Sequence, residues 1–274
     1  MDSVRLIEEW PVDNAAAAVV GADGTVLAAH GDGGRAYQLA SVTKPLTAYA
    51  ALIAVEEGVV ELDTPAGPEG ATIRHLLAHT SGLGFDEHRV LAQPGTRRLY
   101  SNAGFEQLAD ALTKHSGIPF PAYQREALFD PLGMTATTQD GSPAAGAVST
   151  LDDLVRFAAE LQRPTLLDPG TLATATSVAF AGLNGVLPGF GHQKPNDWGL
   201  GFELRDHKDP HWTGTHSSAR TFGHFGQSGT FLWVDPEAGA AGAACVVLTD
   251  RAFGPWAAEV WPRFTDAVLA ELPR

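Results

Sequence analysis

The chain has 274 residues, 44% of them hydrophobic, enough to bury one large core or two closely packed lobes. Its 18 Lys and Arg against 32 Asp and Glu give a formal charge of -14, which repels phosphate backbones and anionic lipid and argues against nucleic acid or a membrane as partner. A single cysteine, Cys245, excludes an intramolecular disulfide, and its apolar run Ala243 to Leu248 predicts a buried, inert thiol.

In chain order, Met1 to Glu9 lacks the basic start and apolar stretch of a secretory signal. No later segment has the length of a membrane span, so the expected location is cytoplasmic. A short amphipathic helix ends near Trp10-Pro11. Ala15 to Val20 and Thr25 to Ala29 then read as a hairpin around Ala22-Asp23-Gly24. Helical periodicity runs from about Val42 to Glu57 and stops at Gly58. Further helices are predicted at about 73–78, 101–115, 123–129 and 151–161, and the Gly-, Pro- and Thr-rich stretch 164–196 reads as largely irregular. Strands return at 198–204, 221–234 and 242–249, and a helix over 255–272 closes the chain.

Strands, a helical middle, strands and a helix, without strand-helix alternation, predict an α+β fold. An antiparallel sheet from both chain ends (about 1–40 and 200–274) would be flanked by helices, with 41–199 as a mostly helical lobe. A site is then expected in the cleft between the two.

Three short motifs carry chemistry. In Ser41-Val42-Thr43-Lys44 the two polar residues stand three apart at the start of the long helix, on one face, so the ammonium can fold back onto the hydroxyl. A serine becomes nucleophilic when a base takes its proton, and lysine serves only if burial or positive potential lowers its pKa. The helix start supplies such potential together with free amides, and Pro45 is tolerated in the first turn. In Tyr100-Ser101-Asn102, before another helix, a phenol can shuttle protons and a carboxamide can hold both substrate and lysine. In the late-strand run Gly223 to Gly229, containing His224, Gly226 and Gln227, the glycines permit close approach of a substrate backbone.

The order S-x-x-K, Y-x-N and H-x-G resembles the penicillin-recognising serine hydrolases, in particular the branch of class C beta-lactamases, related carboxylesterases and D-amino-acid-specific peptidases. Leu76 to Leu83 (with His79-Thr80-Ser81-Gly82), Pro94-Gly95-Thr96, Pro131 to Met134 and Ala145 to Thr150 are similar to signatures of the same family. The resemblance, over about residues 15–250, implies a beta-lactamase-like fold and an acyl-enzyme at Ser41. Lys44 and Tyr100 would be the proton-transfer pair, Asn102 the orienting amide, and the amides of Ser41 and Gln227 the oxyanion hole. It implies no metal and no cofactor. The expected partner is a small ester or amide; a D-amino-acid peptidase or transacylase, a weak beta-lactamase and a non-catalytic ligand binder are the alternatives. His224 stands where many members carry a lysine for the substrate carboxylate, and a mostly neutral imidazole favours an ester or amide that lacks one.

Other signals are weaker. His75 and His79 stand at a zinc-compatible spacing without the accompanying glutamate. His207, His211 and His216 share a loop with Asp206 and Asp209, where only adventitious metal binding is expected. Ser228 sits one residue off a nucleophile elbow. Trp212 and Phe225 are expected mostly in the core, with an acyl pocket as the alternative.

Overall fold

The computed structural model describes residues 1–273. The first expected helix is a 3-10 segment, Ser3–Glu9, followed by β1 (Ala15–Gly21) and β2 (Val26–His30). After β3 (Tyr37–Gln38), a 3-10 turn, Ala40–Val42, leads into α1 (Thr43–Glu56), α2 (Ile73–Leu77), α3 (Asn102–Ser116) and α4 (Phe120–Gln124). A π-type turn at Arg125–Phe129 precedes β4 (Thr138–Gln139), β5 (Ala147–Ser149) and α5 (Leu151–Gln162). The segment expected to be irregular contains α6 (Pro169–Ala175) and a hairpin of β6 (Gly185–Leu187) with β7 (Gly191–Gln193). The chain ends with β8 (Glu203–Leu204), β9 (Phe222–Gly226), β10 (Thr230–Asp235), β11 (Ala243–Thr249) and α7 (Pro255–Glu271).

Six strands form one sheet in the order β2-β1-β11-β10-β9-β8, every pair antiparallel. The first strand therefore lies one in from the sheet edge, against the last strand, which is central, and this pairing joins the two chain ends. Strand periodicity sorts the residues: Ala16, Ala18, Val20, Leu232, Val246 and Leu248 share a core with Leu46 and Tyr49 of α1 and Leu154 and Phe157 of α5. Their neighbours Ala17, Val19, Phe231, Trp233 and Val247 face Trp261, Phe264 and Val268 of α7 and Val4 and Ile7 of the 3-10 segment. The fold is α+β, with a helix layer on each face of an antiparallel sheet.

The strand expected over 198–204 is shortened to Glu203–Leu204 because the preceding residues turn. Gly199 N-H donates to Phe202 O at 3.0 Å, and Gly201 adopts φ +88°, where a Cβ would come within 2.0 Å of Ala48 Cβ. Only glycine lets α1 pass this close to the sheet edge. No helix among the described residues is long and apolar enough to cross a membrane.

Candidate active site

Ser41 lies in the 3-10 turn just before α1, half-buried, between Ala40 and the helix. Ala40 has φ +44°, a left-handed conformation that costs energy for a residue with a Cβ. The turn is held from two sides: Leu39 N-H donates to Ala147 O at 2.9 Å, and Thr230 Oγ1 of β10 donates to Leu39 O at 2.9 Å. One residue away, a Cβ on Gly226 of β9 would lie 2.2 Å from the same carbonyl, so β9 approaches the nucleophile's turn only as glycine.

Lys44, in the first turn of α1, is fully buried. Its Nζ lies 3.4 Å from Ser41 Oγ and donates to Asn102 Oδ1 at 2.6 Å and Ala144 O at 3.0 Å. It also sits over the Tyr100 ring, 4.6 Å from the centroid. Burial pulls its pKa down to about 7, with Asp86 and Glu106 opposing. The amine is thus substantially neutral at physiological pH.

Tyr100 OH donates to Ser41 Oγ at 2.8 Å. Burial raises the phenol's pKa, so it stays protonated in the resting site. Its position follows from local structure. Ser101 caps α3 by accepting from Gly104 N-H at 2.9 Å, Ser101 N-H donates to His79 Nδ1 at 3.1 Å, and the His79 ring lies 4.6 Å from that of Tyr100. Asn102 opens α3, its Oδ1 on Lys44 and its Nδ2 donating to Asp86 Oδ1 at 2.8 Å. His79 itself has φ +56° and is buried beside Phe105 and Trp198, which makes it a packing element beneath the phenol.

His224 faces the site from β9. Its Nδ1 lies 2.6 Å from Phe225 O; a carbonyl only accepts, so the ring proton is on Nδ1 and the Nε2 lone pair points toward Tyr100 OH, 3.4 Å away. Burial, reinforced by Lys44, lowers its pKa to about 3. The imidazole is therefore neutral across the physiological range. Gly226 continues β9, and Gln227 follows it on the surface, its side chain donating to Phe253 O at 3.2 Å. The amides of Ser41 and Gln227 donate to no acceptor among the described residues, as a pair available to an oxyanion would.

Trp198 backs the site, with its ring 5.6 Å from Tyr100 and 5.4 Å from His224. Behind it lies a buried ionic network. Glu203 pairs with Lys208, accepts from Trp212 Nε1 at 3.0 Å and contacts His211 Nε2 at 2.9 Å. Burial opposes ionisation of Glu203, but Lys208 and His211 outweigh it and hold the carboxyl at about 2. Beside Tyr100 opens a cavity of about 790 Å³, between the 84–91 loop, residues 96–100 and the β6-β7 hairpin.

Seven residues singled out in the sequence, Ser41, Lys44, Tyr100, Asn102, His224, Gly226 and Gln227, thus come from four elements or their borders to one place. The other candidates do not join them. His75 bonds Thr72 and stacks on Phe180, His211 is committed to Glu203, and His207 and His216 are exposed. Ser228 Oγ bonds Thr230 Oγ1 at 3.1 Å. Trp212 and Phe225 pack in the α7-side core. Cys245 lies there too, its thiol pKa raised by burial. Sequence reasoning missed the Ala144 carbonyl, Asp86, Glu106 and the cavity wall at Phe85.

Over 98% of both chains, the structure superposes on that of a beta-lactamase from Mycobacterium bovis with a TM-score of 0.96 and 58% identity. The D-alanyl-D-alanine-carboxypeptidase/endopeptidase AmpH of Escherichia coli (strain K12) is 32% identical over 143 residues, 39% of this chain. Esterase EstB of Burkholderia gladioli is 32% identical over 142 residues, 42% of this chain. The matched stretches span about a third of those two relatives, 37% and 35% of their lengths. Since the beta-lactamase family pattern runs from residue 8 to residue 270, nearly end to end, the chain belongs to that family, whose relatives here include an esterase, a carboxypeptidase and a beta-lactamase.

Proposed function

We propose that the chain hydrolyses small carboxylic esters, or activated amides, through an acyl-Ser41 intermediate. The observation that carries this reading is the convergence of Lys44 Nζ and Tyr100 OH on Ser41 Oγ, with the two groups shifted in opposite directions. A pair so separated divides the work. Neutral Lys44 accepts the Ser41 proton as Oγ bonds the carbonyl carbon, and the oxyanion is met by the amides of Ser41 and Gln227. When the carbon-oxygen bond to the leaving alcohol breaks, the protonated phenol gives it a proton and recovers one from Lys44. Water then adds to the acyl carbon, its proton passing to the same pair, and Ser41 is restored with release of the acid.

His224 supports an ester over a beta-lactam. A neutral imidazole, 3% exposed and hydrogen-bonded to its own strand, offers no permanent cation for a substrate carboxylate. Turnover of a chromogenic cephalosporin is expected to be far slower than that of p-nitrophenyl butyrate.

The test is intact-protein mass after brief exposure to p-nitrophenyl butyrate, with nitrophenol release followed in parallel. Wild type should gain one butyryl group and turn over; Ser41→Ala should do neither. Full hydrolysis by Ser41→Ala would sink the mechanism.

A further inference from the structure

We propose that the cavity beside Tyr100 holds an extended apolar acyl chain, which makes medium-chain aliphatic esters the preferred substrate class. The inference rests on the acyl-Ser41 reading above and adds what that reading leaves open, the nature of the acyl group.

Continuity comes first. Tyr100 donates to Ser41 Oγ and also walls the cavity, and Phe85 stacks on its ring at 5.9 Å, so the apolar surface begins at the nucleophile's own hydrogen-bond partner. Phe85 is placed by the same cap that places the tyrosine, since its carbonyl accepts from Asn102 N-H at 2.7 Å and Ala103 N-H at 3.1 Å.

Composition comes second. Phe85, Leu91, Leu99, Leu183, Val186 and Pro188 line the space. Only seven large hydrophobic residues are exposed in the described chain, and four of them, Phe85, Val90, Leu91 and Val186, line or adjoin this one cavity. Scattered exposed apolar residues need no explanation, whereas a cluster at a cavity mouth marks a binding surface. The polar lining residues are Thr96, Arg97, Arg98, Asn184 and His192. The guanidinium of Arg98 is committed to the carbonyls of Ala78, Ala179, Phe180 and Asn196. Arg97 remains as the cation that a charged chain end would need.

The cavity is also preformed. The β6-β7 hairpin is tied down where Arg98 N-H donates to Asn184 O at 3.3 Å and Asn196 N-H to Leu183 O at 2.8 Å, and Leu187 and Phe190 anchor it in the α7-side core. At about 790 Å³ the space is within the range that holds a drug-sized ligand, roughly 300–1,000 Å³.

The experiment is kcat/KM for p-nitrophenyl acetate, butyrate, hexanoate and octanoate below their micellar concentrations, on wild type, Val186→Glu, Leu91→Glu and the conservative Val186→Leu. Each methylene buried in the transition state raises kcat/KM by up to about fourfold, equivalent to ~0.8 kcal/mol. Wild type should climb through the series. The octanoate-to-acetate ratio should fall about tenfold or more in the two glutamate variants and hold in Val186→Leu, with unchanged circular dichroism in all. A flat or falling series, with an acyl-Ser41 adduct still seen by mass, would overturn the cavity assignment and leave the serine mechanism standing. So would faster turnover of the half-ester of a dicarboxylic acid of equal length. If no ester forms an adduct, the mechanism falls and the inference with it.

Discussion

The proton economy of the site turns on single residues. Lys44 titrates at about 7 because it is buried, so kcat/KM for ester hydrolysis should rise about tenfold per pH unit below that value and level above it. His224 and Tyr100 titrate outside the working range and add no limb near neutrality. A stopped-flow pH profile checks this, and an acid limb near 4 in its place would remove lysine as the base. Lys44→Arg keeps the charge but cannot release its proton, so it should lose roughly 10²–10⁴-fold in kcat and show no limb at 7. These residues were legible because their letters state their chemistry. The Ala144 carbonyl, which fixes Lys44 Nζ, was not, since a backbone acceptor has no letter of its own. Asp86 and Glu106, which oppose the effect of burial, look like any surface carboxylate until the fold brings them near.

At the level of elements, the site is a meeting of three backbones: the 3-10 turn before α1, the start of α3 and strand β9. Gly226→Ala tests that meeting. A Cβ there would press on Leu39 O at 2.2 Å and Thr230 Oγ1 at 2.6 Å, so β9 must move off the Ser41 turn. The expected result is a loss of about 1–3 kcal/mol in stability by denaturant titration, together with a larger loss in turnover than that drop explains. Unchanged kcat/KM would show that β9 need not sit where it does. Long elements such as β1, α1, β11 and α7 could be read directly, because an unbroken apolar run in the strands or a helical period in the helices extends over seven or more residues. The β6 and β7 strands are three residues each and α6 is seven, interspersed with Gly and Pro, so no period accumulates. That same hairpin forms a wall of the cavity, so the acyl space has no signature in the sequence, and Trp212 and Phe225 belong to the α7-side core instead.

On the scale of the whole molecule, buried titratable groups set the acid limit of the fold. His79 and His224 stay neutral in the native state, whereas unfolded histidine takes up a proton near 6.5. The unfolded chain then binds more protons below pH 6.5, so native stability falls as pH drops through that window, by up to ~1.4 kcal/mol per pH unit for each histidine. Glu203 adds a second loss below about 4.5, as its paired carboxylate is held at about 2 in the fold. Urea titrations at pH 7, 6, 5 and 4 should show a steady decline, shallower in His224→Gln. Glu203→Ala strands the buried Lys208 cation and should cost about 3–5 kcal/mol at neutral pH. A change below 1 kcal/mol would mean that the network contributes little beyond filling space.

The position of Trp198 has an optical consequence. Of the six tryptophans, it is the one whose ring lies against both Tyr100 and His224, at the edge of the α7-side core that it shares with Trp212, Trp233 and Trp261. The molecule thus carries a built-in fluorophore at the reaction centre. Acylation that displaces the phenol should appear as an emission change of the same rate as the mass adduct, one that Trp198→Phe silences, giving a label-free clock for each half of the catalytic cycle.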